Sequence, residues 1–178
     1  MISSDSNLTQ NELHSLFLSQ ISPYVSGQGS LEGKPLEADL TPPLPTKIRV
    51  YLYNATTPPG GRTPGECKAQ LIVPGQSRGE RSDFDHSGAR IVLLVGYNSA
   101  HDVYILWDAN LHMNFSYSKN VQIKPETLFE AAAGKVATQV RHLRSAGKKE
   151  IVVAVQGSDL DKGIKKRVEI TRGQMSNS

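Results

Sequence analysis

The sequence predicts a mixed, mostly β domain built on a small antiparallel barrel or curled sheet, with a helix at each flank. Three observations predict it. Arg90-Ile-Val-Leu-Leu-Val-Gly-Tyr97 and Val103-Tyr-Ile-Leu-Trp-Asp-Ala109 are apolar, β-branched runs joined by the polar turn Asn98–Asp102, the pattern of an antiparallel hairpin. Further strand-like runs stand on either side, at Lys47–Tyr53, Glu66–Val73 and Glu150–Val155. Connections as short as 98–102 are too short for parallel crossovers, which favours antiparallel pairing.

The elements follow in order. Thr9-Gln-Asn-Glu12 is a capping box, in which hydroxyl and carboxylate satisfy each other's backbone amides. Leu13, Leu16, Phe17, Ile21 and Tyr24 then recur at helical spacing, so a helix runs from Gln10 to about Ser22 and closes at Pro23. Gly27–Pro45 reads as a linker rich in Gly and Pro. Within it Gly29-Ser-Leu-Glu-Gly-Lys34 superficially suggests a phosphate loop. It fails, because Gln28 and Pro35 stand where glycine and Ser or Thr are needed. Lys47–Tyr53 is a strand with Ile48, Val50 and Leu52 on one face. Ala55–Pro64 is an irregular loop containing Arg62. Glu66–Val73 is the next strand. Beyond the hairpin, Pro125 suits a first helical turn. Phe129, Ala132, Val136, Val140 and Leu143 then step by three or four, giving a core-facing helix that ends near Gly147. Glu150–Val155 is a strand, Ile164–Ile170 is read as a last one, and Gln174–Ser178 as a frayed end. The domain expectation is residues 1–45 as helix and linker, 46–172 as the folded domain, and 173–178 as tail.

Composition bounds the class. A chain of 178 residues, 38% hydrophobic and 21% charged, suits one globular domain with a sizeable core. No apolar run approaches the roughly 18 residues of a membrane helix. The start, Met-Ile-Ser-Ser-Asp-Ser-Asn, lacks the basic and apolar regions of a signal peptide. The single cysteine, Cys67, cannot make an internal disulfide, and these features together favour the cytoplasm. The net charge of +3 hides an asymmetry. Residues 1–40 carry five acids against Lys34, whereas the remainder carries 19 basic and 12 acidic residues. Basic excess in the folded part points to a polyanion.

Enzyme chemistry finds little support. Glu66-Cys67-Lys68 carries the Glu-x-Lys of magnesium nucleases of the PD-(D/E)xK class, where carboxylates hold the metal and lysine positions water. No Asp lies between Lys47 and Glu66 to complete the set. Asp83, Asp85 and His86 make a second cluster, but Asp85 before Ser87 and Gly88 reads as a turn. His101, His112 and His142 are scattered without ligand spacing. Tyr97, Tyr104 and Trp107 could stack on bases, though alternation along hairpin strands is the mark of core packing.

A binding reading uses more of the chain. The loop before the hairpin, Ile72–Arg81, offers Gln76, Ser77, Arg78, Glu80 and Arg81 between glycines. The segment after it offers Ser116, Tyr117, Ser118, Lys119, Asn120 and Gln122. Arginine chelates guanine, Asn and Gln pair with adenine, and Ser and Lys position on phosphates. Two such loops on a rigid sheet are the expected form of a recognition module.

The residues Leu71-Ile-Val-Pro-Gly-Gln76, Gly79-Glu80-Arg81, Phe84-Asp85, Leu94-Val-Gly-Tyr97, Asp102-Val-Tyr-Ile-Leu-Trp-Asp108 and Tyr117-Ser-Lys-Asn120 resemble the target-recognition domains of some prokaryotic restriction endonucleases. Those domains share the DNA-binding pseudobarrel fold with plant B-three transcription factors and the EcoRII effector domain. The resemblance covers roughly residues 45–160. It implies an open antiparallel pseudobarrel and two arms that grip double-stranded DNA and read its major groove. The first arm maps onto Gln76, Ser77, Arg78, Glu80 and Arg81. The second maps onto Ser116, Tyr117, Ser118, Lys119, Asn120 and Gln122. It implies no cofactor, no catalysis in this chain, and cleavage by a separate nuclease domain or subunit. The alternatives are a magnesium-dependent nuclease using Glu66 and Lys68, and a non-catalytic protein-interaction domain.

Overall fold

A computed structural model describes residues 7–58, 65–143 and 147–176. The elements in chain order are α1 (Gln10–Gln20), β1 (Val25–Gln28), β2 (Leu36–Leu40), β3 (Lys47–Asn54), β4 (Cys67–Leu71), β5 (Arg81–Ser82), β6 (Ile91–Asn98), β7 (Val103–Trp107), β8 (Phe115–Ser116), β9 (Lys119–Ile123), α2 (Pro125–Ala132), β10 (Ala137–His142), β11 (Lys149–Gln156) and α3 (Leu160–Ser176). Among the described residues the protein is mostly β, with three α-helices. Seven strands form one open sheet in the order β1-β2-β3-β6-β7-β11-β10, and β4-β9 and β5-β8 form two small sheets.

The capping box holds as read. Thr9 Oγ1 accepts from the Glu12 amide at 3.2 Å, and Glu12 Oε1 accepts from the Thr9 amide at 3.3 Å. The hairpin also holds, with Leu94 opposite Trp107 and Asn98 opposite Val103.

Central strands are apolar on both sides because both faces of the sheet are covered. Ile48, Val50 and Leu52 of β3 face a core shared with Phe17 of α1 and Ile164 of α3. Tyr51 and Tyr53 of the same strand face a second core with Leu71, Phe84, Phe115 and Val121. β7 divides the same way, Tyr104 and Leu106 to one side, Ile105 and Trp107 to the other. Beside Trp107 a side chain at Gly96 has no room. A Cβ there would stand 2.9 Å from the indole Cζ3 and 3.0 Å from Ala55 Cβ.

The structure corrects several expectations. Pairing is not antiparallel throughout: β3 and β6 are parallel, Ile48 beside Ile91 through Asn54 beside Tyr97. The long crossover that such a pair requires is residues 55–90, which carry β4 and β5. The segment read as a linker contains β2, whose Leu36, Ala38 and Leu40 point into the core. The helix expected to end near Gly147 stops at Ala132. Gly134 takes a φ of +99°, which favours glycine, and residues 137–142 become the edge strand β10. Val136 just before it and Val140 within it are exposed instead of core-facing. Ile164–Ile170 is helical, not a strand. Leu160, Ile164 and Val168 lie one turn apart and bury a single face of α3, and the helix runs on to Ser176 through the residues read as frayed. The loop containing Arg62 lies outside the described residues.

Candidate nucleic-acid interface

Two excursions pack on the same face of the large sheet, residues 65–90 and 108–136. They meet in the small sheets. β4 pairs with β9 from Cys67 opposite Ile123 to Leu71 opposite Lys119. β5 pairs with β8, Arg81 opposite Ser116. The two polar segments singled out in the sequence therefore become neighbours. Arg78, Gly79, Glu80, Arg81, Ser116, Tyr117 and Ser118 line one shallow hollow of about 530 Å³. An aromatic stack anchors it from beneath: Phe84 lies 4.7 Å from Tyr51 and 4.9 Å from Phe115, ring centre to ring centre.

The site residues sort into builders and presenters. Gln76 builds: its Oε1 accepts from the Val73 amide at 3.2 Å, and its Nε2 donates to the carbonyls of Glu80 and Phe115 at 3.2 and 3.3 Å. Glu80 builds as well, its Oε2 accepting from the Ser77 amide at 3.1 Å. Gln122 is spent on Glu66: with its amide turned to suit its neighbours, the nitrogen donates to Oε1 and Oε2 at 2.7 and 2.8 Å. Arg81 is anchored by a donation to the Asn114 carbonyl at 2.7 Å, with the rest of its guanidinium exposed. Arg78, Ser116 and Asn120 are exposed, and Tyr117 and Ser118 are half-buried at the rim. Ser118 sits at the turn between β8 and β9 with φ +61°.

Lys119 is held from behind. Its Nζ lies 3.1 Å from His112 Nδ1, and His112 Nε2 lies 2.7 Å from Glu150 Oε2. A lysine ammonium has only donors, so Nδ1 accepts and the ring donates through Nε2 to the carboxylate. Glu150 Oε2 also accepts from the Asp108 amide at 3.0 Å, and Oε1 takes Arg141 NH1 at 3.3 Å. Asp108 Oδ2 faces Arg167 NH2 at 3.5 Å. His112, Glu150, Asp108 and Arg167 are all buried. A continuous polar chain thus runs from α3 through the domain to the patch. Burial opposes ionisation of Glu150, but the hydrogen bonds from His112 and the Asp108 amide and the charge of Arg141 outweigh it and hold the carboxyl below its usual range. Burial pushes Lys119 down from the ordinary lysine range, opposed by Glu150 and reinforced by Arg141 and Arg81.

The family model described as methylase-associated X1 matches residues 46–164. The chain belongs to the methylase-associated X1 family. The family's description associates it with methylases, which is consistent with a role in restriction–modification. Comparison with curated proteins and with solved structures found no match. The match spans both excursions and the whole of the patch.

Within this methylase-associated domain, the residues of the nuclease alternative have other work. The Glu66 carboxylate takes the Gln122 amide, and Cys67 is buried beside the Asn98 amide, 3.7 Å from its Nδ2. Asp83 and Asp85 shape loops: Asp83 accepts from the Asn114 amide at 2.6 Å and Asp85 from the Ser87 amide at 2.9 Å. Among the described residues no three of His, Cys, Asp and Glu converge as a metal site would need. No helix among them is long and apolar enough to cross a membrane. Tyr104 and Trp107 are core residues, fully buried. Sequence reasoning missed the chain behind Lys119, because His112 and Glu150 stand 38 positions apart and no local spacing links them. The one signal was a Glu at the head of the apolar run Ile151–Val155, where a buried carboxylate needs partners.

Proposed function

We propose that this chain is the sequence-specific double-stranded DNA recognition domain of a restriction–modification system. It reads the major groove with residues 76–81 and 116–120 and leaves cleavage to a separate nuclease domain or subunit. The observation that carries this reading is the pairing of Arg81 with Ser116, which merges two separately predicted polar segments into one surface. On that surface Arg78, Arg81 and Lys119 supply cations, and Asn120 and Arg81 supply base-reading groups. The likeness to the pseudobarrel of restriction effector and plant B-three domains belongs to the same reading. It draws support from the mostly β architecture with flanking helices, and from functional segments set in loops on a rigid sheet. Because the two segments share one ladder, we take them as a single continuous reading surface.

The test is a gel-shift selection at two salt concentrations on a random-site duplex pool, with and without cytosine and adenine methylation. Enrichment of one short motif that survives the higher salt is expected. Binding that vanishes with salt and enriches nothing would reduce the surface to phosphate contacts and sink the reading.

A further inference from the structure

Half of the cations sit in one stretch of the chain. Residues 135–172 hold 10 of the 20 lysines and arginines and 4 of the 17 acids, a net charge of +6, while 10 basic and 13 acidic residues stand elsewhere. That stretch is β10, β11 and most of α3, not the polar patch at β5 and β8. From Lys162 to Arg172 the exposed side chains of α3 are Lys162, Lys165, Lys166, Glu169 and Arg172, one acid among four cations. They recur at helical spacing because Leu160, Ile164 and Val168 bury the opposite face. Lys148 and Lys149 add two exposed lysines at the head of β11, where Lys149 stands opposite His142. Among the described residues, Lys162 alone of these lysines and Arg172 makes an ion pair, with Asp159 at 3.2 Å.

The fold gathers this excess into one surface. α3 packs on β11 and β7, on the side of the sheet where Val153 joins Ile164 and Val168 in the core. Across the β10–β11 ladder Thr138 stands opposite Val153, Val140 opposite Ile151 and His142 opposite Lys149, so all three of these β10 residues point to the side of α3. They are exposed and form a shelf beside the helix. Where shelf and helix meet, Val136, Lys162, Lys165, Lys166 and Glu169 line a hollow of about 360 Å³. The polar patch lies on the other side of the sheet, over the core that contains Phe84 and Phe115. The β10–β11 hairpin joins the two sides, since Arg141 points to the patch side and shares Glu150 with His112 behind Lys119.

A face of one charge sign repels itself, gathers counterions and attracts polyanions. Lysine is a point charge with three donors and no acceptor, which suits a phosphate oxygen and carries no base pattern. From Lys162 to Arg172 α3 spans about 15 Å, a length over which duplex DNA carries about nine phosphate charges. A bilayer surface would call for an apolar stripe turned outward, and that of α3 is buried in the core. We propose that the head of β11 and the outer face of α3 form a second DNA contact, in which Lys149, Lys165, Lys166 and Arg172 hold the phosphate backbone without reading sequence. The choice of duplex DNA among polyanions rests on the DNA-recognition reading, whereas the site does not. The backbone belongs either to the flank of the duplex held at the polar patch or to a second duplex.

The experiment measures the affinity of the full chain, and of a variant combining Lys149→Ala, Lys165→Ala and Lys166→Ala, at four salt concentrations. The probes are random-sequence duplexes of about one helical turn and about four turns. All three residues are exposed, so folding is preserved. The expected result is a slope of log affinity against log salt reduced by about 0.9 for each phosphate contact removed, thus by about 2–3 in the variant, with motif preference as in wild type. Lys124→Ala removes an exposed lysine outside this surface and should leave the slope in place. A loss on the long duplex alone makes the ligand the flank of the bound duplex. A loss on both, with two short duplexes held by each wild-type chain and one by each variant chain, makes it a second duplex. An unchanged slope, a loss per lysine no larger than that of Lys124→Ala, or a loss on both with one short duplex per chain throughout overturns the proposal. A missing motif with a reduced slope sinks the recognition reading alone, a selected motif with an unchanged slope sinks this surface alone, and absence of any duplex binding overturns both.

Discussion

His112 Nε2 lies 2.7 Å from Glu150 Oε2, with both side chains shut away from solvent. Removing one partner of a buried pair strands the other, at a cost of about 3–5 kcal/mol. Glu150→Ala should therefore lower the urea midpoint sharply, since it strands His112 and the Asp108 amide and unpairs Arg141. A midpoint within error of wild type would show that the chain behind Lys119 is not structural.

Acidification should destabilise the fold in two stages. His14 is buried, with Nδ1 on the Leu31 carbonyl and Nε2 on Gln10, both at 2.8 Å. Burial lowers its pKa from 6.5, opposed by the Leu31 carbonyl and reinforced by Lys34. The folded state thus binds this proton less readily than the unfolded chain does. The contribution of His14 is complete above 6.5 and is lost as pH falls from there through the folded value. The carboxyl of Glu150 is also lowered, from 4.5, so its contribution is present above 4.5 and is lost as pH falls through its folded pKa. Urea midpoints measured from pH 8 to 3 check both stages, and His14→Gln should abolish the upper one. A wild-type midpoint that stays flat between pH 7 and 5 contradicts the first stage.

Arg81→Ala and Asn120→Ala should each cost about 1–3 kcal/mol of binding to the selected site and relax the preference at one position. Their unfolding midpoints should move little, because exposed substitutions usually stay within about 0.5 kcal/mol. Gln122→Ala is the contrast, since its amide is committed to Glu66, and preference should survive it. If Gln122→Ala relaxes specificity and Asn120→Ala does not, the division into builders and presenters is wrong.

Lys119→Ala should weaken binding about equally to all sequences and reduce the slope of log affinity against log salt by about 1. Affinity measured at four salt concentrations on a specific and a random duplex tests this. A selective loss on the specific duplex would make Lys119 a base reader.

Gly96→Ala should destabilise by about 1–3 kcal/mol, the usual cost of overpacking. The added methyl meets Trp107 on one side and Ala55 on the other. Thermal unfolding with near-ultraviolet circular dichroism checks it, and an unchanged tryptophan signal would mean that the strands part without cost.

What the sequence made legible was local. The capping box and the β6–β7 hairpin depend on neighbours a few residues apart, and both are in place. What stayed hidden depended on distance or on a single backbone angle. Arg81 and Ser116 pair across 35 positions, a register that no short pattern announces. Phe129, Ala132, Val136 and Val140 keep helical spacing past Gly134, but the backbone turns left-handed there, so Val136 falls beyond the helix and Val140 on an edge strand. In Ile164–Ile170 the β-branched residues suggested a strand, yet the burial of Leu160, Ile164 and Val168 rewards one helical face. At the candidate site the exposed groups were visible as types. Their division was not, because whether Gln76 or Gln122 is free depends on partners brought in by folding.

The polar chain from Arg167 through Asp108, Glu150 and His112 to Lys119 makes α3 and the patch a single heritable unit. Substitutions at its two ends should be epistatic, their joint effect on DNA affinity departing from the sum of the two. A selection for altered site preference should then return second-site suppressors on α3, at positions that touch no nucleic acid. Recombining this domain with a relative would have to carry both ends of the chain together.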